Sequence, residues 1–331
     1  MIPLSSPDLQ ESYATILLNI THEGANLIEQ QHGNARYMQF RHFLQFPDLI
    51  HASFTRLGGY SKTPYQGLNV SYSIGDDFDN VIRNRLLVLK TLQIQTYPCA
   101  TVWMVHGAKV ATLGVETWDD WRTDWPDWPH RSYHIDQHEL IWTTKPRRKA
   151  DALITKHCGV ALAMSSADCV PLMFYDPVER VLGLAHAGWR GTARGIAAIT
   201  IDAMGEQFGS SPNNIRAGIG PSIGSCCYEV SEVVRCYFMG QQEFDSDPIH
   251  ARYRKLIRES AIFTMKRRQG RDSLHLDLWE TNRNQLLMAG LLPEHIEASE
   301  ICTSCKKEHF FSHRGELGKA GRFPSILALR Q

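Results

Sequence analysis

At 331 residues, the chain is long enough for one large domain or two of ordinary size. Hydrophobic content of 43% against 21% charged is that of a globular protein with a sizeable core, and 35 basic residues balance 35 acidic ones. That neutrality argues against nucleic acid or an anionic membrane as the main partner.

The first ten residues lack a basic stretch followed by an apolar one, so no secretory signal is expected there. No apolar run is long enough to span a bilayer. Eight cysteines in such a chain read as reduced thiols, which predicts a cytoplasmic location.

Leu9 to Gln31 carries a weak helical pattern, and residues 1–45 read as an N-terminal extension to a domain spanning 46–331. His51 to Gly59 reads as a strand ending in a Gly-Gly turn. Asp79 or Asn80 can cap a helix from about Val81 to Leu92, with Leu86, Leu89 and Leu92 on one face. Ala100 to Val105 is strand-like and ends at His106-Gly107.

Residues 116–149 form an insertion in which Trp118, Trp121, Trp125, Trp128 and Trp142 fall among Asp, Pro and Arg. These tryptophans pack on the body or on a second subunit, or they form a stacking lid for an aromatic ligand. Apolar runs near 152–155, 159–164, 170–175 and 181–185 then read as consecutive strands. A helix follows from about Thr192 to Phe208 and a strand near 214–219. Helices are expected near 229–239, 250–268 and 278–290, with a short strand at 273–276. Strands near 296–301 and 323–329 close the chain. Strand clusters with interspersed helices predict an α+β protein with mixed sheets, not a simple βαβ ladder.

His106, Cys169 and His186 each lie at or just past the end of a strand-like run. Two imidazoles and a thiolate suit zinc, and three protein ligands leave one position open for water or substrate. Copper is compatible with the same donors. Taken singly, each residue also has an ordinary structural reading, because cysteine is a common buried residue and strand-end histidines are commonly just hydrogen-bonded.

Arg190 lies between Gly188 and Gly191, and glycines permit close approach of a ligand. An arginine there can hold phosphate or carboxylate in two-pronged fashion, or make a structural ion pair. Arg56, before Gly58-Gly59, invites the same two readings. Cys302-Thr-Ser-Cys305 is compatible with half of a zinc knuckle, but it has no second C-x-x-C, and His309 and His313 follow too closely for a finger. It reads as reduced structural thiols, as does Cys226-Cys227, where a nucleophile is the alternative. No phosphate-binding P-loop, dinucleotide fingerprint or deaminase H-x-E with P-C-x-x-C is present.

Several segments in register resemble the YfiH-like family. They are Val105-His106-Gly107, Ser166-Ala-Asp-Cys169, His186-Ala-Gly-Trp-Arg-Gly191, Gly220 to Val230, Cys302-Thr-Ser-Cys305 and Phe310-Phe-Ser-His-Arg314. Arg56-Leu-Gly-Gly59, Gly67-Leu-Asn-Val-Ser71 and Gly75-Asp-Asp77 extend the likeness, which runs from about residue 50 to the C-terminus. That family, once labelled multicopper polyphenol oxidase or laccase-like, is described as purine nucleoside phosphorylases with adenosine deaminase activity.

The resemblance implies zinc on His106, Cys169 and His186, with copper as the alternative metal. It implies a single domain of two stacked mixed sheets flanked by helices, a four-layer α/β/β/α sandwich. It also implies phosphate-dependent cleavage of adenosine, inosine and 5′-methylthioadenosine, so the expected partners are purine nucleosides and phosphate. On this reading Cys169, His186 and Arg190 are catalytic. Arg190, with help from Arg56, holds phosphate, and Asn69 and Asp168 contact ribose or base. The protein is expected to be a monomer or homodimer.

Two features depart from the family pattern. The 116–149 insertion is longer and richer in tryptophan, and Ser222 stands where many members have cysteine. Two other classes remain open: a copper-dependent polyphenol oxidase, and a hydrolase or deamidase with Cys169 as nucleophile.

Overall fold

The computed structural model describes residues 27–114, 134–135, 138–139, 142, 148–246, 248–268 and 270–331. Trp118, Trp121, Trp125 and Trp128, most of the 116–149 insertion and residues 1–26 lie outside this description.

Two six-stranded mixed sheets form the centre. The first runs in the order β1 (Leu27–His32), β2 (Ala35–Phe40), β3 (Leu49–Phe54), β17 (Phe323–Leu329), β9 (Ala161–Ser166) and β4 (Cys99–Ala100). The second runs β16 (Ile296–Ala298), β12 (Arg216–Ile219), β10 (Val170–Asp176), β11 (Val181–Ala187), β8 (Ala152–Thr155) and β5 (Val110–Leu113). A smaller sheet orders β13 (Glu229–Val230), β15 (Arg271–Leu276) and β14 (Phe263–Arg268). A two-residue pair joins β6 (His134–Ile135) to β7 (His138–Glu139). The helices are α1 (Phe78–Thr91), α2 (Trp189–Thr192), α3 (Ile196–Phe208), α4 (Glu232–Phe238), α5 (Arg254–Ser260) and α6 (Leu278–Met288).

The layering follows from side-chain alternation. Along β11, Leu182 and Leu184 face the first sheet, where they meet Leu162, Met164, Leu327 and Leu329. Val181, Ala185 and Ala187 point the other way, into a core shared with Ile196, Ile201 and Met204 of α3 and Leu286 of α6. The far face of the first sheet, with Ala161, Ala163, Ile326 and Ala328, packs on Val88 and Leu89 of α1. Each fully buried large aliphatic side chain contributes about 1.5–3 kcal/mol, so both sheets are held by burial on two faces. The order of layers is helix, sheet, sheet, helices, as expected. No helix among the described residues is long and apolar enough to cross a membrane.

Local chemistry sets the helix ends. Asp77, rather than Asp79 or Asn80, caps α1, with its carboxylate accepting the Asn80 N–H at 2.9 Å. Gly209 ends α3 in the left-handed region at φ +79°.

Other differences from the sequence reading have tertiary causes. Leu27–Gln31 is strand, not helix, and β1, β2, Phe40 and Phe43 belong to the body. The expected boundary at residue 45 therefore cuts through the first sheet. Only α5 is helical within 250–268 among α- and β-elements, because Phe263–Arg268 pairs antiparallel with β15. Ala100–Val105 yields strand only at Cys99–Ala100. Trp142 is buried on the body, beside Leu89 and Phe54 in one core cluster.

Candidate active site and metal centre

Register brings the candidate ligands to one end of the second sheet. Val170 of β10 faces Ala187 of β11, and Ala152 of β8 faces Ala185. Val110 of β5 faces Ala152 in turn. Cys169 precedes β10, His186 is the penultimate residue of β11, and His106 lies in the turn before β5. The Ser166–Cys169 segment crosses from β9 in the first sheet to β10 in the second. Four chain segments far apart in sequence thus meet at one edge.

The donor atoms of His106, Cys169 and His186 lie within 4.8 Å of one another. The two imidazole rings stand nearly perpendicular, with centroids 5.0 Å apart. Asp151, fully buried, fixes two of these residues. One carboxylate oxygen lies 3.2 Å from His186 Nδ1 and accepts the His106 N–H at 2.9 Å. The other accepts the N–H groups of Gly107 at 2.7 Å and Val105 at 3.3 Å. Those bonds hold His106 in the left-handed region at φ +59°, an uncommon conformation for a non-glycine residue. With Nδ1 engaged, His186 keeps Nε2 for a ligand, the usual arrangement for a metal-bound histidine.

Gly188 completes the cradle. A Cβ at that position would lie 2.7 Å from Cys169 Sγ and 3.5 Å from the His106 ring. The three side chains therefore suit a zinc-type three-ligand site in donor set, mutual distance and outer support.

Electrostatics favour a Cys169 thiolate paired with a charged His186, which must give up a proton before its ring nitrogen can bind a metal. Burial disfavours a Cys169 thiolate, yet the His186 charge and hydrogen bonds from both histidines outweigh it and pull the thiol down to about 6. Burial likewise opposes a charged His186, but the neighbouring Cys169 and Asp151 push it up to about 10. Asp151 is held below its ordinary value despite its burial, through His186 and the backbone N–H groups of Gly107 and His106.

The other candidate residues fall into two groups. Arg190, on α2, is exposed, stacks over Trp189 at 4.4 Å, and has no hydrogen-bond acceptor for its guanidinium among the described residues. Arg56, Asn69 and Asp168 are engaged by the protein. Arg56 pairs with Glu316 at 2.8 Å, donates to the Lys307 and Gln66 carbonyls and lies over Phe311. Asn69, fully buried, donates to Asp76 at 2.6 Å and accepts the N–H groups of Ser71 and Arg322. Asp168 accepts the Thr303 hydroxyl at 2.6 Å and the Arg314 N–H at 2.7 Å.

The family described as multi-copper polyphenol oxidoreductase laccase matches residues 50–330 of this chain. The chain belongs to that family. Among its relatives, purine nucleoside phosphorylase YlmD of Geobacillus stearothermophilus is 34% identical over 277 residues, covering 84% of this chain and 89% of the relative. Adenosine deaminase RL5, from an unknown prokaryotic organism, is 29% identical over 254 residues, covering 76% and 83%. The crystal structure of YlmD from Geobacillus stearothermophilus superposes with a TM-score of 0.72 at 31% identity, covering 92% of this chain and 99% of that one.

Sequence reasoning missed four residues around this cluster. Asp151 gave no signal, since an aspartate before a strand is ordinary. Tyr228 and Arg314 lie in the Gly220–Val230 and Phe310–Arg314 segments already singled out, yet neither was read as a site residue, and Arg322 gave no signal. Burial pushes the Tyr228 phenol up, and the charges of Cys169, Arg314, Asp168 and Arg190 all act on it. Arg314 also lies over the Tyr228 ring at 5.4 Å. Arg322 is pushed down by burial and stabilised by the Cys169 and Asp168 charges.

Proposed function

We propose that this protein is a zinc-dependent purine nucleoside phosphorylase. It cleaves adenosine, inosine and 5′-methylthioadenosine with phosphate, giving the free base and the corresponding sugar 1-phosphate, and it also deaminates adenosine. The observation that carries this reading is the open His106–Cys169–His186 cluster with Arg190 close by in the chain, its guanidinium without a hydrogen-bond acceptor among the described residues. The names of its relatives support it in the same direction. The reading includes a cytoplasmic monomer or homodimer.

Zinc bound by His106, Cys169 and His186 would supply a Lewis acid that polarises an oxygen of phosphate or water. The chain's own groups do the rest. Arg190 holds phosphate through charge-assisted bonds. Tyr228, kept protonated by its burial and within electrostatic reach of Cys169 and Arg190, is a hydrogen-bond donor available to a substrate. Asp151 holds His186 in the tautomer that leaves Nε2 free. Asp168, next to Cys169 in the chain, has both carboxylate oxygens engaged by Thr303 and Arg314 and so positions the thiol, while Arg56 and Asn69 are held by Glu316, Asp76 and Arg322.

A cysteine hydrolase is the second reading, favoured by the low-lying Cys169 thiol beside a charged His186. One assay separates them. Base release from the three nucleosides is measured with and without phosphate, alongside metal content and phenol oxidation. The expected result is phosphate-dependent base release with zinc bound, and loss of both in His186→Ala and Cys169→Ala. Arg190→Ala is expected to weaken use of phosphate by about 10–100-fold, the worth of one charge-assisted bond. Full activity in metal-free Cys169→Ala sinks the assignment. Phosphate-independent turnover blocked by iodoacetamide favours the hydrolase, and phenol oxidation with copper bound favours the oxidase.

A further inference from the structure

A second cluster lies apart from these ligands. Cys226 and Cys227 sit in the turn that follows β12, and Cys302 and Cys305 in the segment that follows β16. Because β12 and β16 are parallel neighbours, both segments leave the sheet at the same end. Their four thiol sulfurs lie within 4.8 Å of one another, and none of the four is joined in a disulfide. Cys226 Sγ and Cys227 Sγ are 3.5 and 3.4 Å from Cys305 Sγ.

We propose that Cys226, Cys227, Cys302 and Cys305 bind a structural zinc ion that ties these two loops together. Four thiolates at a Zn–S distance of about 2.3 Å stand about 3.8 Å apart in a tetrahedron, close to the spacings found here. The surroundings suit the charge of such a centre. The Gly224 N–H donates to Cys302 Sγ at 3.3 Å, and Lys266 Nζ, 2.7 Å from the Ser225 carbonyl, brings a cation alongside. Gly224 has no room for a side chain, since a Cβ would lie 2.7 Å from Trp279 and 3.3 Å from Cys226 Sγ.

The isolated C-x-x-C gains its missing half through sheet topology, from a vicinal pair rather than a second C-x-x-C. The zinc serves the other centre indirectly. One tied loop carries Tyr228, and the other carries Thr303, which holds Asp168 next to Cys169.

The test is zinc content per chain in the purified full-length protein. Cys302→Ser and Cys305→Ser are each expected to lose one equivalent that His186→Ala retains. Should the His106–Cys169–His186 site hold no zinc, the Cys→Ser variants fall from one equivalent to none, so the two proposals fail separately. Cobalt-substituted His186→Ala should still show the strong thiolate-to-metal absorption of a four-thiolate centre, which removes dependence on how the Cys→Ser variants fold. Unchanged zinc in both Cys→Ser variants overturns the proposal. So does a disulfide joining Cys226 or Cys227 to Cys302 or Cys305 in freshly purified protein. A different metal in the same ratio overturns the zinc assignment.

Discussion

Gly188→Ala separates the demands of the fold from those of the metal. Gly188 has φ −70° and ψ 169°, a conformation any residue adopts, so alanine adds no backbone strain. By restricting the unfolded chain it should stabilise the metal-free protein by about 0.4–1 kcal/mol. The added Cβ, however, would stand 2.7 Å from Cys169 Sγ. Relief to an ordinary contact of about 3.6 Å moves the sulfur by roughly 0.9 Å. A turn about χ1 of Cys169 accomplishes that at small cost to the fold. A zinc–sulfur bond tolerates only about 0.2 Å, so the same turn removes a ligand. Zinc affinity at this site should fall by about 100-fold or more, equivalent to roughly 2.7 kcal/mol. The assay is competition for zinc with a chromophoric chelator, together with thermal unfolding with and without chelator. The variant should melt at or slightly above the wild type when metal-free and lose the stabilisation that zinc confers. Wild-type zinc affinity in Gly188→Ala would refute the three-residue site.

Two further perturbations address buried polar groups. Asp151→Asn replaces one acceptor oxygen with a donor that faces the backbone N–H groups of residues 105–107 or His186. It should weaken zinc binding by about 10–100-fold. It should also lower the unfolding free energy of the metal-free protein by about 3 kcal/mol, and a loss under 1 kcal/mol in denaturant titration would contradict the hub role. His51 offers a pH prediction. Burial, aided by the His42 charge, lowers it from 6.5 to about 3, and its Nε2 accepts the Phe40 N–H at 2.9 Å. Above pH 6.5 both states are neutral and nothing is lost. Between pH 6.5 and 3 the unfolded chain takes up a proton that the fold refuses, so stability falls by up to about 1.4 kcal/mol per pH unit. The His51→Gln variant should show a shallower decline across that window, and parallel curves would show that His51 titrates normally.

The candidate metal ligands were legible because strand ends carry chemistry, and the runs before Cys169 and up to His186 mark strand ends plainly. Their convergence was not legible from spacing, since it depends on the β10–β11 and β8–β11 registers. The same limit hid Asp151, whose role comes from lying beside β11 with its carbonyl accepting the His186 N–H. Helix α1 was found to within a few residues, since its apolar spacing is local. The strand at Phe263–Arg268 was missed because its pairing with β15 outweighs the helical texture of the segment, and Gly270 at φ +78° stands where the chain reverses. Arg56 was read as a ligand contact because it precedes a glycine pair, and Asn69 because of the family resemblance. In the fold, Glu316, Asp76 and Arg322 engage their polar groups.

Two buried aspartates explain how so dispersed a site stays in place. Asp151 gathers the turn at residues 105–107 and the end of β11, which together present His106 and His186. Asp168 gathers the Thr303 and Arg314 segments and, through its carbonyl, the Ile223 N–H. Cys169 follows Asp168 directly, so the thiol is held between the two assemblies, with Gly188 filling the gap behind it. Neither aspartate need touch a substrate to be indispensable. Each converts a set of loop backbones into a rigid wall, and charged carboxylates satisfied by several N–H or O–H donors do this more strongly than neutral acceptors. Loss of either should therefore disturb ligand geometry more than global stability accounts for. On that basis Asp168→Asn should raise KM and lower kcat together, whereas Arg190→Ala should act chiefly on the use of phosphate.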